Sequence, residues 1–118
     1  MTINEFQREA LRTERGMNKD PSIIDNDKFR LQNGLMGLCG EAGEAIDILK
    51  KHLFQGHDLD TEHLAIELGD VAWYLAVTAD ALGYDLESIF VMNRAKLRAR
   101  YPDGFDPKLS KHRIEGDI

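Results

Sequence analysis

Cysteine is almost missing from this 118-residue chain, where Cys39 stands alone. No intrachain disulfide can form, and a reducing cytoplasm is the expected setting. Long apolar runs are missing too. None approaches the roughly 20 residues that a membrane-spanning helix needs, so no membrane association is expected. The first residues, Met1-Thr2-Ile3-Asn4-Glu5, carry no basic stretch ahead of an apolar one, and no signal peptide is expected. Positive charge is in deficit: 15 Lys and Arg against 21 Asp and Glu leave a net charge of −6. A binder of nucleic-acid backbones normally shows a basic face, so stable nucleic-acid binding is not expected. A nucleotide-sized anion stays open as a ligand if acidic groups first recruit a metal. Period-two alternation is nowhere long enough for a strand, and there is neither repeat nor low-complexity segment. What remains, 42% hydrophobic and 31% charged, suits one soluble domain with a modest core.

The pattern along the chain is helical. Thr2 followed by Glu5 reads as a capping box opening a helix over about 3–14, with Phe6, Ala10 and Leu11 on one side and Gly16 as its stop. A connector over about 16–25 follows, in which Pro21 discourages helix at Asp20. A second helix is expected over about 27–53, capped by Asp25 or Asn26. Leu31, Leu35, Leu38, Ala42, Ala45, Leu49 and Leu53 form its apolar stripe. Gly34, Gly37, Gly40 and Gly43 lie inside it at a cost of about 0.5–1 kcal/mol each, so a neighbouring helix or a ligand must need close approach. A turn around Gly56 leads to a third helix over about 61–82, capped by Asp60 and stopped at Gly83. Its stripe is Leu64, Leu68, Val71, Leu75, Thr78 and Leu82. Asp85 is the expected cap of a fourth helix over about 86–100, ended by Tyr101-Pro102. The reading is an all-α, four-helix single domain of 1–118. Its core lies at about 27–102, and a loosely attached tail covers 103–118.

Two acidic couplets interrupt this helical context: Glu41-Ala-Gly-Glu44 and Glu67-Leu-Gly-Asp70. At 100° per residue, Glu41 and Glu44 lie at roughly 280° and 220° from their stripe, and Glu67 and Asp70 at roughly 300° and 240° from theirs. Both couplets flank their stripes on the same rotational side, so an antiparallel hairpin brings them to a common side. Their depths about the turn agree to within roughly 3 residues, or about 4.5 Å. Four converging carboxylates repel one another and lose solvation, and a bound divalent cation is the most economical reason to keep them. All-oxygen, all-anionic ligands suit Mg²⁺ or Mn²⁺, and Ca²⁺ less well. No histidine sits at ligand spacing within either couplet, which argues against Glu-x-x-His di-iron chemistry. His52, His57, His63 and His112 read as surface or turn residues. The competing view of each couplet alone is a solvated face paired with Lys or Arg.

Further candidates surround this group. Asn93, Lys96 and Arg100 recur every three or four residues on one face and could hold phosphate, although cations also suit a helix C-terminus for its dipole. Lys50 and Lys51, a little over a turn beyond Glu44, could reach a polyphosphate or simply lie in solvent. Trp73, Tyr74 and Phe6 could stack a base, with the core the better place for Tyr74. Asn33, two turns before Glu41, could hydrogen-bond a ligand or the preceding turn.

Three blocks occur in order: Gly40-Glu41-Ala-Gly-Glu44, then Glu67-Leu-Gly-Asp70-Val-Ala-Trp73-Tyr74-Leu75, then Asn93-Arg-Ala-Lys96-Leu-Arg-Ala-Arg100-Tyr101-Pro102-Asp-Gly-Phe105. Together they resemble the MazG-like all-α nucleoside triphosphate pyrophosphohydrolases, whose pattern is Glu-x-x-Glu, a spacer and Glu-x-x-Asp. The resemblance covers about 31–106, and the segment from Phe6 to Thr13 is similar to single-domain members. It implies Mg²⁺-dependent hydrolysis between the α- and β-phosphates, giving a nucleoside monophosphate and pyrophosphate. Glu41, Glu44, Glu67 and Asp70 would hold the metal, and one glutamate would take a proton from water. Asn93, Lys96 and Arg100 would hold phosphates or sugar. The resemblance also implies homodimers or homotetramers built as helical bundles. Alternatives are a dUTP or phosphoribosyl-ATP pyrophosphatase, and a helical interaction protein with a structural metal.

Overall fold

Thr2 and Glu5 open the first helix as a reciprocal cap. The Glu5 amide donates to Thr2 Oγ1 at 3.0 Å, and the Thr2 amide donates to Glu5 Oε2 at 2.9 Å. The computed structural model describes residues 1–17 and 20–118; Asn18 and Lys19, within the expected connector, lie outside the described residues. Helix α1 is Ile3–Met17, running through Gly16 rather than stopping there. A short helix, α2 (Pro21–Ile24), occupies part of the expected connector. Asp20 is its extended N-cap and Pro21 sits in its first turn, where a missing N–H costs nothing. Helix α3 (Asp27–Gln55) starts at Asn26, whose side chain accepts from the amides of Lys28 and Phe29. It ends at Gly56, whose left-handed φ of 73° glycine adopts without strain. Asp60 caps α4 (Thr61–Ala81). The end of α4 is closed by Gly83 (φ 85°), with the Gly83 amide on Asp80 O and the Tyr84 amide on Ala79 O. Helix α5 is Leu86–Arg100 and α6 is Pro107–Lys111. No helix among the described residues is long and apolar enough to cross a membrane.

The chain divides into two compact units, Met1–Leu86 and Glu87–Ile118. In the first, α3 and α4 run antiparallel. Gly34 lies against Thr78, Gly37 against the Tyr74 ring, and Glu41 beside Glu67 and Asp70. A Cβ on Gly34 or Gly37 would collide with those side chains, so both glycines serve close helix approach. Gly40 and Gly43 have open space where a Cβ would stand.

The approach at Gly34 and Gly37 turns the pair away from the face that the leucine stripe suggests. Gly34 and Gly37 lie at roughly 300° and 240° on the helical wheel, so the contact is rotated by roughly 90° from the stripe. The stripe residues Leu35, Leu53, Leu68 and Leu82 are consequently exposed, at 54–60% of their surface. Small residues fill the interior instead: Ala10, Ala76, Val77, Ala79 and Ala81, with Leu86. Ala10 and the buried Gln7 bring α1 into this core, which therefore extends back beyond residue 27. Gln7 donates to the carbonyls of Ala76 (3.2 Å) and Tyr84 (3.1 Å) and accepts from the Leu86 amide (3.0 Å). Arg30 ties three helices, reaching Glu14 at 2.9 Å, Asp80 at 2.7 Å and Asp27 at 3.2 Å.

In the second unit the stretch after Asp103 is folded, not loose. Asp106 caps α6, and Asp117 returns to form a bidentate pair with Arg100 at 2.7 and 2.8 Å.

Candidate metal centre

Glu41, Glu67 and Asp70 each offer a ligand atom, and these atoms all lie within 4.8 Å of one another. The rotation of the helix pair explains the closeness. It carries the expected flank of each stripe into the α3–α4 interface, so Glu67 is 7% exposed while Asp70 stays open to solvent. Glu67 Oε2 is buried without a hydrogen-bond partner, whereas Oε1 meets His63 Nε2 at 3.1 Å. With Glu41 and Glu67 both ionised this buried oxygen has no donor, which is costly. It fits a place kept for a cation or, without one, for a proton shared with Glu41.

Electrostatics agree. Glu41 is pushed up from 4.5 to about 7, first because its carboxyl can share a proton with Glu67. Desolvation adds to this, then the negative charges of Glu44, Asp70 and Glu67. Glu44 stands outside the close trio, exposed, one turn along α3 and near enough to act on Glu41 by charge. The residue types and the orphaned Oε2 fit a hard divalent cation bound by Glu41, Glu67 and Asp70.

A cavity of ≈ 390 Å³ is lined by Trp73, Asn33, Phe29, Ile23, Ile24 and Arg30, among others. Trp73 follows Asp70 by three residues, about 4.5 Å along α4, and Asn33 precedes Glu41 by eight, about 12 Å along α3. The structure therefore brings Asn33 and Trp73 together at one end of the carboxylate group. Tyr74 packs edge-on to Trp73 at 4.9 Å and against Gly37. Lys51 pairs with Asp47 at 3.0 Å and Lys50 with the same carboxyl at 3.4 Å, both on the surface.

In the second unit, Asn93 and Lys96 are exposed on α5. Arg100 differs from expectation. Its guanidinium is committed to Asp117 and the Ile118 carbonyl, with both ionic side chains about nine-tenths buried, so it is not presented to a ligand. His63 differs in the other direction. It reads as a surface residue and is 54% exposed, yet it touches Glu67. The signal for it was the i, i+4 spacing of His63 and Glu67, which puts the two on one helical face.

The model of the MazG nucleotide pyrophosphohydrolase domain family matches residues 29–105. Among curated proteins, the Gene 37 protein of Mycobacterium phage L5 is 40% identical over 73 residues, covering 58% of this chain. The chain matches 64% of that protein's length. No solved structure matches the chain.

Proposed function

Because this chain belongs to the MazG nucleotide pyrophosphohydrolase domain family, we propose that it hydrolyses nucleoside triphosphates between the α- and β-phosphates. The products are a nucleoside monophosphate and pyrophosphate, and Mg²⁺ is the cation, with Mn²⁺ able to replace it. The observation that carries the reading is the trio Glu41, Glu67 and Asp70 with its buried, unpartnered Oε2. Mg²⁺ held there would supply neutralising charge for the triphosphate and would lower the pKa of an attacking water. Glu41, Glu67 and Asp70 would hold the cation in their ionised forms. Glu44, solvated and outside the trio, is the carboxylate available to accept the proton of water. Trp73 offers a face for a base, and the Asn33 amide a donor and an acceptor for its edge. Asn93 and Lys96 supply donors for phosphate. Most of such chemistry is positioning and charge stabilisation, which suits a site built of fixed helical residues.

The test is incubation with standard and modified ribo- and deoxynucleoside triphosphates, dUTP and phosphoribosyl-ATP in Mg²⁺. Pyrophosphate and monophosphate are the expected products. Glu67→Gln and Asp70→Asn should each lower kcat by about 100-fold or more. Release of orthophosphate, or undiminished turnover in both variants, would overturn the reading.

Homodimers or homotetramers form part of the proposal, supported by the exposed leucines of α3 and α4. The same leucines favour a second reading, a helical interaction protein whose metal is structural. That reading calls for metal-induced stabilisation with no turnover of any nucleotide in the panel.

A further inference from the structure

His63 lies outside the carboxylate trio but is built against it. Asp60 Oδ1 accepts from the His63 amide at 2.9 Å, which fixes His63 in the first turn of α4. Glu67 comes one turn later, and the imidazole Nε2 lies 3.1 Å from its Oε1. An ionised carboxylate only accepts hydrogen bonds, so neutral His63 carries its hydrogen on Nε2 and donates it. The two oxygens of Glu67 are therefore unequal. One is held by His63, and the other is buried and unpartnered.

Cations differ in how many carboxylate oxygens they accept. Mg²⁺ demands a near-octahedral shell at about 2.0–2.1 Å, whereas Ca²⁺ takes six to eight oxygens at about 2.3–2.6 Å and readily binds a carboxylate through both. We propose that His63 is a positioning residue that restricts Glu67 to ligation through a single oxygen, setting the centre's preference for Mg²⁺ or Mn²⁺ over Ca²⁺. The proposal rests on the metal centre described above. Without the imidazole, Oε1 is released and Glu67 can present both oxygens to a larger ion.

The experiment is calorimetric titration of Mg²⁺, Mn²⁺ and Ca²⁺ into the metal-free full chain as wild type, His63→Ala and His63→Gln. Partners of liganding carboxylates are commonly worth about 10- to 100-fold in metal affinity. His63→Ala should weaken Mg²⁺ and Mn²⁺ binding by about 10-fold while Ca²⁺ binding holds or tightens. His63→Gln, whose amide can still donate to Oε1, should restore much of the selectivity. Equal losses for all three ions, or no change in their ratio, would overturn the proposal while leaving the metal centre standing. So would a large fall in the metal-free thermal midpoint shared by both variants, which would assign His63 to packing. A wild type that binds none of the ions would remove the centre itself and this role with it.

Discussion

Glu41 and Glu67 show how one crowded pair of side chains links the site to stability. Glu41 holds its proton up to about pH 7 in the fold and only to about 4.5 in the unfolded chain. Between those values the folded state binds the extra proton, so raising the pH across that window removes stability. Metal-free protein is thus expected to show a falling thermal midpoint from about pH 4.5 to 7, levelling above it. Saturating Mg²⁺ should offset the loss by mass action, and Glu41→Gln should flatten the profile. Thermal unfolding in chelator and in millimolar Mg²⁺ across this range checks both statements. Equal midpoints in the two conditions at neutral pH would count against the ion.

At the scale of elements, glycine content decides which faces of α3 and α4 meet. Gly37→Ala drives a methyl group into the Tyr74 ring and should cost about 1–3 kcal/mol. Gly43→Ala meets nothing within 4 Å in this chain and should stabilise the helix by about 0.5–1 kcal/mol. Denaturant unfolding of the two variants separates a glycine needed for contact from one that is not. These positions also mark what the sequence could convey. The couplets, their shared side and their level could be read from a period of 3.6 residues and a turn at Gly56. The burial of Glu67 could not, because apolar periodicity points to the leucines whereas close approach follows the smallest side chains. The caps at Thr2, Asn26 and Asp60 were legible because each needs only local hydrogen bonds. The pairing of Arg100 with Asp117 was not, since nothing local in a polar C-terminal segment says which charge it will meet.

At the scale of the whole molecule, the same rotation leaves a row of leucines in water. Leu35 and Leu68 are more than half exposed, as are Ile46 and Ile66 on the same two helices at 61% and 56%. Apolar surface of that kind on a small chain marks association. Sedimentation is expected to find dimers or larger assemblies, with Leu68→Glu shifting the population toward monomer. A wild type that sediments as a monomer at all concentrations would remove assembly from the proposal. Arg30 has a consequence of a different kind. It answers three carboxylates with one guanidinium, so its neighbourhood by the Trp73 cavity keeps two surplus negative charges. A dication seated among Glu41, Glu67 and Asp70 would give anionic oxygens a place to coordinate, whereas the surroundings of Arg30 meet an anion with surplus negative charge. A ligand with an uncharged ring at one end and an anionic tail at the other then has a single favourable way round.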